Sequence, residues 1–379
     1  MTELERFLSV VRFEKPDYWP SLTAWGVGGV HQGGLLKLYQ EGLPENVGEM
    51  ESWCRYWGQC TFESVQSIGR DAPGIKTESW IEGEFEYVRS ETGALTRQVL
   101  DNDLIYSMPD FIEFDVRDRK SWETFRSRIT SRRKADVEEQ AERLDGRTRP
   151  ASISACTTWG TIRSWMGPER ALLAIYDDPD LVRDMIDWQT WNFDQFVAPV
   201  IERYRPEAIL GWEDFCYNHG MLISPAAFRE FCAPHYRHVA EVARSCGAEL
   251  LMIDCDGKVD EYTLLLEEVG FNGCWPMEQV CGNDLLDYRR RQPRFVFAGG
   301  IEKQVACTGN GHRIESELVP RVPKMLEAGG YFPTFDHGLP TTVGFDELCR
   351  CMTLLHELCG SEHLGDFPRR REPFPGSDT

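Results

Sequence analysis

Titratable side chains recur at one kind of position in the second half of the chain, directly after short apolar segments. In "ELLMIDCDG" (249–257), a run of apolar residues ends in two aspartates before a glycine. Three other apolar segments also end in one or two titratable residues. Carboxylates and imidazoles are the groups that transfer protons or bind a divalent cation. The residues concerned are Glu213, Asp214, Asp254, Asp256, Glu278, Asp336 and His337.

Each of these residues also has a structural interpretation. Asp214 or Asp256 could cap the helix that follows it, and Glu213 could pair with a buried arginine such as Arg163. A lone histidine such as His337 is more often a hydrogen-bonded structural residue than a ligand. The recurrence of acids after four segments favours a functional cluster, in which like charges would be relieved by a cation or a substrate.

The elements that must position these acids alternate regularly. Strands of five to ten residues separated by helices of ten residues or more predict a parallel sheet with βα connections. Because no GxGxxG motif follows a strand, a doubly wound dinucleotide-binding sheet is the weaker alternative. We therefore predict a (β/α)8 TIM-type barrel, whose strands end on one face. The predicted strands are 206–215, 248–254, 271–278, 294–300 and 331–338, and the predicted helices 178–203, 224–247, 259–270, 283–292, 312–330 and 344–360.

The domain prediction is a single barrel domain over residues 1–379. Residues 1–150 are expected to form an N-terminal extension and the first part of the barrel, residues 151–360 the core βα repeats, and residues 361–379 a C-terminal tail. The polar segment 116–149 is typical of helical insertions and linkers with solvated charges.

Composition excludes several classes of function. The 41 basic and 62 acidic residues give a net charge of -21, which argues against a general nucleic-acid or anionic-membrane binder. No run approaches 18 apolar residues, so no membrane span is expected. We read no export signal in the first twenty residues, so the 13 cysteines are expected to be reduced thiols in a cytoplasmic protein. A homodimer is the default expectation for the assembly.

Several motifs together resemble the uroporphyrinogen decarboxylase superfamily, whose members include cobalamin-dependent methyltransferases. The match keeps its order over nearly the whole chain and implies a TIM-type barrel with its site at the strand ends. The motifs are "ERFLSVVRFEKPDYWP", "DVRDRKSWETFRSRI", "WMGPERALLAIYDDPDLVRDMID", "GWEDFCYNHGMLISPAAFREFCAPHYRHV", "FAGGIEKQVA" and "AGGYFPTFDHGLPTTVGFDEL".

Departures from the family pattern narrow what the resemblance implies. The true decarboxylases carry an arginine-rich loop where this chain reads "SLTAWGVGGVHQGGLL" (21–36), so porphyrinogen decarboxylation is not expected. Thiol-methylating relatives hold zinc with a His-x-Cys pair and a late cysteine. The pair aligns here with Asp254-x-Asp256, and the late cysteine with the Asp336–His337 region. The resemblance thus implies oxygen ligands and one imidazole for Zn²⁺ or another divalent metal, from the set Asp254, Asp256, Glu278 and His337.

The resulting hypothesis is a methyltransferase that passes the methyl group of a small O-methyl compound, or less favourably an N-methyl compound, to a corrinoid on a partner protein. The metal would act as a Lewis acid on the leaving oxygen. The expected catalytic residues are Glu213, Asp214 and His337, and the expected substrate-binding residues are Trp212, Tyr217, Trp275, Tyr331 and Phe335. Two alternatives remain, namely a metal-independent decarboxylase or lyase with His337 as proton donor, and a barrel that only binds a ligand.

Overall fold

A curled, parallel seven-stranded sheet dominates the computed structural model of the chain. The structure describes residues 1–23, 32–67, 69–70, 77–90, 94–100, 110–129, 133–134, 136–307 and 311–371. Neighbouring strands follow one another in chain order and every pair is parallel. The strands are β1 (Glu63–Val65), β2 (Ala151–Cys156), β3 (Ala208–Trp212), β4 (Leu250–Asp254), β5 (Gly273–Trp275), β6 (Val296–Ile301) and β7 (Tyr331–Phe335).

Helices fill the connections between these strands, as the alternating pattern predicts. The predicted helix 312–330 is two helices, with a break around Pro320, and the predicted helix 224–247 contains a wide turn at Phe228–Cys232. No helix in the described part of the chain is long and apolar enough to cross a bilayer. The α-helices are Glu3–Val11, Gln32–Glu41, Met50–Trp57, Arg119–Ile129, Ala141–Leu144, Trp159–Met166, Pro168–Asp177, Pro179–Phe196, Ala198–Tyr204, Pro225–Ala227, Ala233–Ser245, Tyr262–Glu268, Leu285–Arg291, Gly311–Leu318, Val322–Ala328 and Phe345–Cys359.

The sheet is a TIM-like arrangement that does not close within the described residues. Beside β1, the N–H of Thr23 donates to the carbonyl of Cys60, and the N–H of Cys60 donates to the carbonyl of Ser21, each over 2.8 Å. Leu22 and Thr23 face β7 across a cavity of about 30 Å³. No hydrogen-bonded ladder joins this segment to β7 in the described ranges, so the predicted closed barrel of eight strands is observed only as a seven-stranded curl.

The inside of the curl is a layer of buried apolar side chains beneath the candidate site. Alternate residues of β3, β4, β6 and β7 point inwards, and Phe7 and Val10 of the first helix pack into the same cluster. Since side chains alternate along a strand, Trp212, Asp254 and Trp275 continue this inward row at the strand ends. We call the carboxyl ends of β3–β7 and the residues after them the mouth.

An insertion between β1 and β2 was not predicted as a sheet. Four antiparallel strands form a meander there, and the polar segment 116–149 supplies the helices Arg119–Ile129 and Ala141–Leu144 where it is described. Residues 24–31 of the arginine-free segment lie outside the described residues. The meander strands are Glu78–Glu82, Phe85–Arg89, Leu95–Val99 and Asp110–Glu113; further two-stranded pairs are Cys216–Tyr217 with Gly220–Met221 and Gly69–Arg70 with Arg133–Lys134.

Arg289 fastens the amino ends of β6 and β7, the two strands that carry much of the mouth. Its buried guanidinium lies over the rings of Phe13 and Phe297, 5.0 Å from each centroid. Burial lowers the pKa of this guanidinium to about 10. It donates to the carbonyls of Gln292, Pro293, Phe295, Gly329 and Gly330.

Replacing Arg289 should therefore destabilise the sheet. In Arg289→Met, carbonyls that accept from the guanidinium lose their donor, and the free energy of unfolding should fall by about 3 kcal/mol. Arg290→Met is the matched control, because Arg290 is 76% exposed and its ion pair among the described residues is with Asp287, so a change within about 0.5 kcal/mol is expected. Urea unfolding followed by circular dichroism measures both; equal losses would contradict this role for Arg289.

Candidate active site at the carboxyl ends of the strands

Glu213 follows β3 and anchors the start of the helix Trp159–Met166. It is fully buried. One carboxylate oxygen accepts from the backbone N–H of Thr158, from the Thr158 hydroxyl (2.7 Å) and from the Tyr236 hydroxyl (2.9 Å). The other accepts from the N–H of Gly160 at 2.5 Å. Burial raises the pKa of Glu213 to about 7, against these hydrogen bonds, which lower it. The surroundings of Glu213, predicted to be catalytic, are those of a structural anchor.

Asp214 forms the ion pair that the sequence suggested for Glu213. The Arg163 guanidinium, on the same helix that Glu213 anchors, donates to Asp214 and lies 5.3 Å from the ring centroid of Trp212. Burial raises the pKa of Asp214 although the charge of Arg163 lowers it. Trp212 is 38% exposed at the mouth. Because Arg163 contacts both this ring and Asp214, it connects the ring with the acidic cluster.

Asp254 lies at the floor of the mouth and has no side-chain partner among the described residues. It ends β4, opposite Trp212 on one side and Trp275 on the other, and is 8% exposed. None of the described residues donates a hydrogen bond to its carboxyl group or forms an ion pair with it. Burial, followed by the charges of Asp256, Asp214 and Glu278, raises its pKa well above the ordinary value. Asp254 is thus a buried carboxyl group with a raised pKa and with no hydrogen-bond or ion-pair partner among the described side chains.

Asp256 and His337 form a pair at the rim of the mouth. The Nε2 atom of His337 lies 3.5 Å from Oδ2 of Asp256, and the N–H of Gly338 donates to Nδ1 over 2.7 Å. Nδ1 is therefore the acceptor of the ring and Nε2 carries the proton. Its hydrogen bond to Asp256 raises the pKa of His337, whereas burial lowers it. The pair is arranged to supply a proton.

Glu278 and Asp336 are held by a lysine that the sequence analysis missed. The ammonium group of Lys303 lies 3.3 Å from Oε1 of Glu278, and the backbone N–H of Lys303 donates to Asp336 over 2.9 Å. Burial raises the pKa of Asp336 to about 6. Lys303 stands in "GGIEKQ", and its place three residues beyond the predicted strand 294–300 was the available signal.

The predicted aromatic pocket is assembled in part. Trp275 and Phe335 line the 30 Å³ cavity together with His337, and the rings of Trp275 and His337 stack with centroids 6.4 Å apart. Tyr217 is 64% exposed. Tyr331 is placed differently from its predicted role: it is fully buried among the helices, and its hydroxyl donates to the carbonyl of Gly299 over 2.9 Å. It lies on the outward face of β7, so it cannot line the mouth.

The four predicted metal ligands do not fit a common ion in this arrangement. Across the described ranges, no three His, Cys, Asp or Glu side chains are grouped to hold a metal. A metal-bound histidine donates its second ring N–H outwards, but Nδ1 of His337 accepts a hydrogen bond instead. The oxygens of Glu278 contact Lys303 and the N–H of Gly257. Asp254 alone of the four has its carboxyl group free among the described residues.

Comparisons with known proteins agree on the fold and go no further. No protein-family model matches the chain, and no curated protein matches it either. Among solved structures, the chain is similar to a methyltransferase from Methanosarcina mazei, with a TM-score of 0.55 and 12% sequence identity. That similarity covers 94% of this chain and 98% of the other. At this identity the likeness shows a shared fold.

The pKa of Glu213 makes a prediction about stability and pH. Its folded-state pKa of about 7 exceeds the ordinary 4.5, so the folded state binds more protons and stability is lost as pH rises through this interval. Relative to Glu213→Gln, the wild type should lose up to about 3 kcal/mol between pH 4.5 and pH 8. Urea unfolding of both proteins at several pH values measures the difference, and parallel curves would refute the assigned pKa.

The Asp256–His337 pair makes a second prediction. Asp256→Asn removes the carboxylate that raises the pKa of His337, so that pKa should fall. Histidine NMR titration can resolve it among the 8 histidines of the chain. Asp260→Asn is the control, since Asp260 pairs with Lys258 and should leave the titration of His337 unchanged. An unaltered pKa in Asp256→Asn would show that the pair does not form in solution.

Proposed function

We propose that the chain is a methyltransferase that moves a methyl group from a small O-methyl or N-methyl compound to a corrinoid on a partner protein. Two observations support this: the fold is similar to that of a methyltransferase, and acidic groups meet at the mouth. The observation that carries the proposal is Asp254, a buried acid for which the described residues provide no side-chain partner, at the same mouth as the Asp256–His337 pair.

The chain's own residues would bind the donor and balance its charge. Asp254 would hydrogen-bond the donor at the floor, between Trp212 and Trp275. When bound, the reduced corrinoid of the partner would supply the electron pair for the new bond to the methyl carbon. As the bond between the methyl carbon and an oxygen breaks, the oxygen keeps the electron pair and takes the proton from Nε2 of His337. Before this transfer His337 is in its imidazolium form, which Asp256 stabilises; because Nδ1 is then protonated, it no longer accepts from the N–H of Gly338.

The described residues do not fit zinc or another divalent metal, so no step of the proposal depends on one. To form its site from Asp254, Asp256, Glu278 and His337, Glu278 would have to release Lys303, and His337 would have to change the nitrogen that carries its proton.

A metal-independent decarboxylase or lyase is the second candidate. It is favoured by His337, whose Nδ1 accepts from Gly338 while Nε2 is directed at Asp256, as in a proton donor. The two candidates differ in their need for an acceptor, because the lyase would turn over a small carboxylic acid without any corrinoid.

The test of methyl transfer uses the purified chain, reduced cobalamin as the acceptor, and panels of methyl ethers and methylamines. Transfer is followed by the absorbance change of the cobalamin. Asp254→Asn and His337→Asn should each reduce the rate by about 100-fold or more, because each removes a group that contacts the donor. Asp260→Asn should leave the rate unchanged. The proposal fails if no compound of either panel methylates cobalamin or a corrinoid protein purified from the organism that produces this chain.

A further inference from the structure

Three of the carboxylates at the mouth have a basic side chain of the chain itself as a partner. Asp214 pairs with Arg163, Asp256 with His337, and Glu278 with Lys303. Closely spaced carboxylates at a mouth usually indicate a bound cation, because like charges repel one another when water is scarce. Here three of the four interacting carboxylates already have a positively charged or protonatable partner, and only Asp254 has none among the described residues.

Lys303 differs from Arg163 and His337 because both its backbone N–H and its ammonium group contact carboxylates of the mouth. Its N–H donates to Oδ1 of Asp336 over 2.9 Å, and its ammonium group reaches Oε1 of Glu278 over 3.3 Å. Its side chain is 26% exposed and that of Glu278 is 12% exposed. The pair is therefore more shielded from water and salt than a surface ion pair.

The pair also connects the ends of four strands. Glu278 follows β5, and its second oxygen accepts from the N–H of Gly257 over 2.9 Å. Gly257 comes directly after Asp256, in the segment that follows β4. The second oxygen of Asp336, after β7, accepts from the N–H of Gln279 over 2.8 Å. Lys303 itself follows β6. Without the charge of Lys303, Glu278 would face the other carboxylates of the mouth, and its remaining partners among the described residues would be hydrogen-bond donors.

We propose that Lys303 is the resident cation of the mouth, which occupies at Glu278 the electrostatic position that a divalent metal would otherwise take. It is a positioning residue, since it acts through Glu278 and the turn at Gly257. The inference rests on the proposed function only in taking the mouth as the active site. A dication would have to displace the ammonium group from Glu278 and would meet its repulsion at short range.

The experiment measures metal binding directly and needs no methyl donor. Zinc and Mn²⁺ are titrated separately into the wild type, Lys303→Met and Lys303→Arg by isothermal calorimetry. Lys303→Met removes the cation and frees one oxygen of Glu278 beside Asp254 and Asp256. It should bind at least one of the two ions about 100-fold or more tightly than the wild type does. Lys303→Arg keeps the charge and should behave like the wild type.

A second variant separates this site from other metal-binding positions. Adding Glu278→Gln to Lys303→Met should abolish the gained affinity, because the freed carboxylate is lost. If Lys303→Met does not fold, Lys303→Gln is titrated in its place. Equal affinities of the wild type and the uncharged variant for both ions would overturn the proposal, whether those affinities are high or undetectable. Methyl transfer is assayed separately, so the failure of one proposal does not imply the failure of the other.

Discussion

The arrangement of the mouth depends on one constraint: carboxylates brought together at the end of a parallel sheet must each find a partner or lose their charge. Glu213 is satisfied by backbone and hydroxyl donors, Asp214 and Glu278 by a guanidinium and an ammonium group, and Asp256 by an imidazole. Asp254 has none of these among the described residues, and its raised pKa is the alternative solution. Neighbouring carboxylates therefore have different roles: the partnered ones stabilise the fold, and Asp254 is the one proposed to bind the donor.

The sequence predicts the strand ends well because they follow from local rules. The apolar runs before Asp254 and His337 place those residues at the carboxyl edge, and the structure brings them there. The parallel sheet and its βα connections follow from the same alternation. The break near Pro320 could also be predicted, because a proline in a helix interior removes one backbone hydrogen bond and clashes with the preceding turn.

What the sequence does not determine is which side chains become partners. Arg163 pairs with Asp214 rather than Glu213 because the helix Trp159–Met166 presents its backbone to one and its side chain to the other. Lys303 lies 25 residues from Glu278, and only the order of β5 and β6 in the sheet brings them together. Tyr331 was assigned to the pocket because aromatic type does not reveal which face of a strand a residue occupies.

Glu213 and Asp214 are consecutive, yet they hold the same helix at two different levels. Glu213 binds the first backbone N–H groups of Trp159–Met166, and Asp214 binds Arg163 about one turn further along. A helix fastened at two points to one rigid strand can neither slide along its axis nor rotate about it without breaking buried contacts. This flank of the mouth is consequently a wall that contacts at two levels of one helix hold in place.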